Sequence, residues 1–448
     1  MLRFLNKNFI TRSGPLIRPS CRWLSVETTV MSFGDDSQGA LGLYNSSFGL
    51  GSDAYEPTRV LGLPPDICDV AAGHYHSLAV TSKGHVWAWG RNNESQLGRS
   101  PLSPRETWSK PQKVEGLDKV MVRSAFASGV VSAAIGDDGA LWVWGKSKRG
   151  QLGLGKDVTE AVLPARVESL LGHEVVKVIF LLVKVSLGWG HVLALTKGGK
   201  LFGWGYYADC RLGRIGRSLE ASPLDSVSEK VISSSENKSM MIEAAEKLVS
   251  EAMEKETDMP IIWEPTLIEE VSDAEVVDIA CGLDHSLILC GDGTLLSGGS
   301  NVYGQLGHVT GYSGLHSVDL GLRPICVASG LGHSLAICNA EEGPSIVTWG
   351  WNQSSQLGRD GPENVPLVVD MLGELPVSVS GGRVHSIAVT EKREVWSWGC
   401  GRNGRLGLGS SGDEAEPMLV EYLEGCDVLQ AVAGFDHNLV LVRPTYES

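Results

Sequence analysis

The 448-residue chain is predicted to be all-β: a seven-bladed β-propeller, closed by pairing of its N- and C-terminal half-repeats, with one partly helical insertion. Three observations predict this. A short glycine-rich signature recurs seven times at one fixed offset. A histidine-containing signature precedes it in most copies. The chain begins in the second half of a repeat and ends in the first half of one.

The first signature is an aromatic residue and glycine, with the glycine of a Leu-Gly pair eight residues further on. It runs through Phe33-Gly34/Leu41-Gly42, Trp89-Gly90/Leu97-Gly98, Trp144-Gly145/Leu152-Gly153 and Trp204-Gly205/Leu212-Gly213. Gly298-Gly299/Leu306-Gly307, Trp349-Gly350/Leu357-Gly358 and Trp398-Gly399/Leu406-Gly407 complete it, the fifth copy lacking its aromatic. The second signature is Gly-x-x-His: Gly73/His76, Gly188/His191, Gly282/His285, Gly330/His333, Gly382/His385 and Gly434/His437. The second full repeat has Ser128 and Val131 in those slots.

Between the signatures the chain reads as strands. His76-Ser77-Leu78-Ala79-Val80 and Val86-Trp87-Ala88-Trp89 alternate with period two. Turn sequences such as Asp137-Asp138-Gly139 and Gly291-Asp292-Gly293 separate such runs. Runs led by Pro57, Pro111, Pro164, Pro265 and Pro417 suit strand starts or sheet edges, where a missing N–H is tolerated. One repeat is therefore a small antiparallel sheet that cannot bury both faces alone, and radial stacking solves that. Val30 to Gly42 and Ala431 to Val442 supply the two halves of the last blade.

Residues 1–24 read as a mitochondrial transit peptide, with residues 25–448 as the propeller. The leader carries Arg3, Lys7, Arg12, Arg18 and Arg22, and the first carboxylate is Glu27. Basic, hydroxyl and apolar residues interleave as an organelle-import helix requires. Arg22-Trp23-Leu24-Ser25 offers a processing site before Ser25. The expected location is the mitochondrial matrix.

The net charge of -15 excludes nucleic-acid binding through the overall field, so any such contact needs a local basic patch. The nine cysteines form no C-x-x-C pair, which removes zinc-ribbon and dithiol readings. The most apolar run, Val175 to Val185, contains Lys177 and Lys184 and is too short to span a membrane. No cofactor is expected, and no catalytic or metal-ligating constellation stands above chance spacing.

Gly-x-x-His-Ser followed by Trp-x-Trp-Gly and Gln-Leu-Gly resembles the repeat of the regulator-of-chromosome-condensation family, over nearly everything from Val30 to Val442. The resemblance implies a seven-bladed propeller. In that family the founding activity is nucleotide exchange on a small nuclear GTPase together with nucleosome binding. The leader and the acidic balance argue against nucleus and chromatin. A plant ultraviolet-B photoreceptor of this fold uses repeated Gly-Trp-Arg-His segments. Here only Trp189 matches, with Gly190 in the arginine slot, so that mechanism is not expected.

One repeated slot per blade is what a structural role requires. The six histidines are therefore read as hydrogen-bonding backbone within or beside their own blades, and the tryptophans as blade-to-blade packing. Two segments depart from the repeat. Residues 214–263 form an insertion, serine-rich and then helical from Ser239 to Lys255. Ile179 to Val185 reads as a seven-residue insertion ahead of Gly188.

The connections between aromatic-Gly and Leu-Gly should emerge on one face. The candidate partner- or RNA-binding rim there is Arg91, Lys146, Lys148, Arg149, Arg211, Arg214, Arg402 and Arg405. The chain resembles plant mitochondrial members of the regulator-of-chromosome-condensation family, and the resemblance implies a non-catalytic scaffold in mitochondrial gene expression, in RNA processing or splicing, or in ribosome assembly. Its partners would be proteins and organelle RNA. The alternative is an exchange factor for an organelle GTPase.

Overall fold

A computed structural model describes residues 27–43, 53–100, 108–170, 182–214, 260–308 and 314–444. The expected leader, the helix at 239–255 and most of the 214–263 insertion lie outside these residues. Seven four-stranded antiparallel sheets form the molecule. Blade 1 runs from Ile67–Ala72 through His76–Thr81 and Val86–Gly90 to Gln112–Lys113. Blades 2 to 6 begin with Val122–Ala127, Leu182–Leu187, Val276–Cys281, Arg323–Ser329 and Pro376–Gly381. First strands of neighbouring blades lie against one another, which makes them the inner wall of the ring.

Blade 7 is the clasp. Asp427–Ala433 and His437–Arg443 come from the C-terminal end, Thr29–Gly34 and Ala54–Arg59 from the N-terminal end. Thr29 pairs with Val442 and Gly34 with His437 in an unbroken antiparallel ladder. Ordinary strand pairing thus closes the circle and leaves no open sheet at the seam.

Pro57, Pro164, Pro265 and Pro417 lie inside outermost strands rather than at their starts. An outermost strand needs only one edge of its backbone for pairing, so the missing N–H can point away. Lys184 and Val185, read as part of an insertion, are built into the first strand of blade 3, where Lys184 pairs with Asp278 of blade 4. Ile179 to Leu181 lie outside the described residues.

The core is divided into seven apolar clusters, one at each blade junction. The repeated residues join there. Trp144 Nε1 donates to the carbonyl of Gln96 in the preceding blade, and the Ser132 hydroxyl donates to the same oxygen. Ser132 Oγ in turn accepts from His76 Nε2 at 2.7 Å. The same relay joins His285, Ser334, Trp349 and Gln305, and again His333, Ser386, Trp398 and Gln356. His437 bonds Ser77, His191 bonds Ser286, and His385 donates to Asn438 Oδ1, so six of seven junctions are laced. The histidines therefore bond side chains of the next blade, not backbone. A side chain reaches across a junction where a sheet's own carbonyls are taken.

The Gly of Gly-x-x-His follows from this. A Cβ on Gly73 would meet the Ser128 carbonyl oxygen at 2.4 Å and His76 Cε1 at 2.7 Å. Where Val131 replaces the histidine, Ser128 replaces the glycine, and its hydroxyl bonds the Val131 backbone. The junction of blades 2 and 3 pairs Val131 with Val192 instead, both fully buried.

A second slot, two residues after the aromatic-Gly glycine, holds Asn in three blades and a carboxylate in blade 7. Asn92, Asn301 and Asn352 each accept from the backbone N–H of the following Leu through Oδ1. Asp36 does the same for Leu41 at 3.0 Å, but its Oδ2 is buried without a partner. Burial pushes its carboxyl up to about 7, and the charges of Asp35 and Asp53 act in the same direction. A folded-state value above the ordinary 3.8 means that stability falls as pH rises from about 4 to 7. Asp36→Asn is expected to raise stability by on the order of 2 kcal/mol at pH 8, with the gain vanishing toward pH 4. Paired melting curves at pH 8 and pH 5 check this, and equal gains at both would refute it.

Candidate partner-binding face

Each first strand rises to the Gly-x-x-His turn, or to Ser128-x-x-Val131 in blade 2, and each third strand ends beside it at or just after the glycine of the aromatic-Gly slot. The residue after the aromatic-Gly donates its N–H to the carbonyl just before the histidine slot. Arg91 bonds Tyr75, Lys146 bonds Val130, Tyr206 bonds Gly190, Ser300 bonds Asp284, Trp351 bonds Gly332, Cys400 bonds Val384 and Asp35 bonds Asp436. All seven sets of loops therefore share one face, as the repeat spacing predicts. The x-x residues ring its axis, and the rim loops lie outside them. Gly90 shows how tight this join is. Its φ is +106°, and a Cβ there would sit 2.5 Å from the Tyr75 carbonyl oxygen.

The eight rim cations divide into two kinds. Arg211 and Arg405 are not rim residues at all, being 2% and 3% exposed. Arg211 pairs with Asp284 at 2.6 Å and Asp209 at 3.0 Å. Arg405 pairs with Asp436 at 2.8 Å, and Asp436 is also held by Arg383. Burial raises the Asp436 carboxyl although Arg405 and Arg383 pull it down. Both arginines fill the slot that holds Gln96, Gln151, Gln305 and Gln356, all buried, in other blades. That slot, visible in the repeat, was the signal that they turn inward.

The remaining six lie at the surface. Arg91 is tied to Glu94 and Lys146 to Glu160. Lys148, Arg214 and Arg402 are exposed. Arg149 is half-buried, and its guanidinium lies 5.9 Å from the ring centres of both Trp189 and Tyr206. Among the described residues it faces no carboxylate in ion-pair range.

Repeat slots drew attention to histidines and bases, whereas the variable x-x slots hold the more unusual chemistry. Trp189, His74 and Phe435, from three blades, stack at the axial mouth with centroids 5.1 and 4.5 Å apart. Arg383 caps Phe435 at 4.8 Å. Gly129 in the intervening blade makes room: a Cβ there would sit 2.9 Å from His74 Nδ1. Burial lowers His74 to about 4, so the ring is neutral at pH 7. Arg91 lies 5.2 Å from the Tyr75 ring, and Tyr303 stacks on Trp351 at 5.3 Å across two more blades. Trp189 is 39% and Tyr303 44% exposed. The face thus carries half-open aromatic rings beside arginines on a rigid ring. Among the described residues no group of three His, Cys, Asp or Glu could hold a metal, and no helix is long and apolar enough to cross a membrane.

These features define a closed seven-bladed propeller whose blades are laced by histidine–serine relays and whose variable loops share one face. The chain belongs to the RCC1-like domain family, whose model matches residues 29–440. It is 27% identical to the ultraviolet-B receptor UVR8 of Arabidopsis thaliana and 28% identical to the regulator of chromosome condensation of Drosophila melanogaster. Each match covers 88% of this chain and 66% of the relative. The human E3 ubiquitin-protein ligase HERC2 is 30% identical over 81% of this chain, which spans only 7% of that ligase. Among solved structures, human WBSCR16 shares the fold with a TM-score of 0.71 at 21% identity, covering 93% of this chain and 99% of its own. Prp20p of Saccharomyces cerevisiae does so with a TM-score of 0.73 at 22% identity, covering 96% and 94%.

Proposed function

We propose that the chain is a non-catalytic binding scaffold of mitochondrial gene expression, acting in organelle RNA processing or splicing, with the loop-bearing face as its docking surface. The observation that carries the reading is that face. Its repeated histidines are consumed in blade-to-blade relays, while Trp, Tyr and Arg residues of its variable loops stay accessible on a stiff support. Those three residue types dominate binding hot spots. The acid-free, arginine-bearing first 26 residues support a mitochondrial address. The tagged full chain purified from mitochondria is expected to bring down organelle transcripts together with processing proteins. Recovery of neither, or residence outside mitochondria, would refute the reading.

A second reading, an exchange factor for an organelle GTPase, is favoured by family membership alone. Prp20p is described by its binding properties to Gsp1p and histones. Accelerated nucleotide release from a candidate organelle GTPase, with no RNA recovered, would favour this reading over the first.

A further inference from the structure

We propose that Trp189 and Arg149 at the axial mouth form a stacking platform for an unpaired base of single-stranded RNA, the arginine meeting its phosphate. This rests on the RNA reading above and specifies its ligand. Trp189 ends a line of planar groups continued by His74, Phe435 and the Arg383 guanidinium. It is 39% exposed at the end of that stack, with the Arg149 guanidinium over its ring at 5.9 Å, so a flat ring entering here joins an existing stack rather than creating one. His74 Nδ1 is buried against Gly129 without a hydrogen-bond partner.

Charge decides what accompanies the ring. Asp209 and Asp284 on this face are both bound to Arg211. The guanidinium of Arg149 lies over the Trp189 and Tyr206 rings and, among the described residues, forms no ion pair, so it puts a positive charge at the mouth of an otherwise acidic chain. An aromatic ring bearing its own anion fits this site, and a nucleotide is both. Base–aromatic stacking tolerates any sequence because every base has a π face. The Tyr303–Trp351 pair on the same face offers a second platform for the same strand. Duplex RNA hides its base faces and is not expected to bind. The overall charge of -15 limits phosphate contacts to one or two, so the salt slope should be shallow, about -1 in log K against log salt.

The test is fluorescence anisotropy of the full chain with a labelled single-stranded RNA of about 12 nucleotides, the same RNA as duplex, and an acidic tyrosine-containing peptide. Wild type should bind the single strand and not the duplex. Trp189→Ala should weaken binding about tenfold, the loss expected of one stacked base. Arg149→Gln should weaken it and flatten the salt slope. Unchanged melting curves for both variants confirm that the fold is intact. Equal binding by wild type and Trp189→Ala, equal binding of duplex, or binding of the peptide but not of RNA would each overturn the platform. Transcript recovery from mitochondria separates this inference from its parent. Equal recovery by wild type and Trp189→Ala sinks the platform alone, and no recovery by wild type sinks both.

Discussion

The propeller is expected to unfold cooperatively as pH falls from about 6 to 4, taking up about six protons. Burial lowers His76, His333 and His437 to about 3 and His285 and His385 to about 4, and pushes His191 well down. His76, His285, His333, His385 and His437 are held as neutral Nε2–H tautomers, because the neighbouring hydroxyl already donates to a carbonyl or the neighbouring amide offers its oxygen. A second proton would go to Nδ1, which is buried without an acceptor in His76, His191, His285, His333 and His385. The unfolded chain binds protons near 6.5 and the folded chain does not. The lacing is therefore fully favourable above pH 6.5 and is lost as pH drops toward the folded values. At pH 5 one such histidine disfavours the fold by about 2 kcal/mol. Six together reach the whole stability of an ordinary domain, roughly 5–15 kcal/mol. Asp36 and Asp436, with raised values, oppose this trend but are outnumbered.

Tryptophan fluorescence melts from pH 8 to 4 read the effect, and proton uptake follows from the slope. The double variant His333→Val with Ser386→Val copies the Val131–Val192 junction into blades 5 and 6. It should remove about one proton from the uptake and lower the acid midpoint. An acid midpoint unchanged in that variant, or equal melting temperatures at pH 7.5 and 5, would show that the ring does not control acid stability.

The ring was legible in the sequence because it is made of slots. A residue type repeated at one offset must meet the same surroundings in each blade, and closure needs only two matching halves. The relay partners were less legible. His76 and Ser132 are 56 residues apart, and nothing local says that a histidine bonds the next repeat's serine rather than backbone. The binding face was half legible. Spacing placed its loops together, but a lone basic residue does not reveal whether it projects or turns in. Arg149 and Arg211 look alike as letters. The difference lies in the slot: the Gln-Leu-Gly pattern marks position 211 as interior. Conversely, His74, Trp189 and Phe435 fall where the repeat is silent, in the x-x positions, and only the ring brings three blades' variable residues to one axis.

That distinction sets the outcome of reversing charge at these positions. Arg405→Glu is expected to destabilise the protein by about 3–5 kcal/mol or more, enough to leave it unfolded, whatever it binds. The guanidinium is 3% exposed and sits between Asp436 and the Cys400 sulfur, with Arg383 completing the Asp436 pair. Its backbone carbonyl accepts from Asn438, whose Oδ1 receives His385, so the residue also anchors the junction of blades 6 and 7. A glutamate would bury a second carboxylate beside one whose charged form is already disfavoured by burial. Arg405→Gln, by contrast, copies the residue other blades carry in that slot and removes the repulsion. It should lose about half as much, since Asp436 keeps Arg383. Arg211→Glu should behave like Arg405→Glu, because Asp209 and Asp284 face it. Lys148→Glu, on an exposed side chain, should leave the melting temperature within about 2 °C, a surface effect of roughly 0.5 kcal/mol. Chemical denaturation of the four variants orders them. If Arg405→Glu melts like Lys148→Glu, the arginine is a surface residue and the buried pairing assigned to it is wrong.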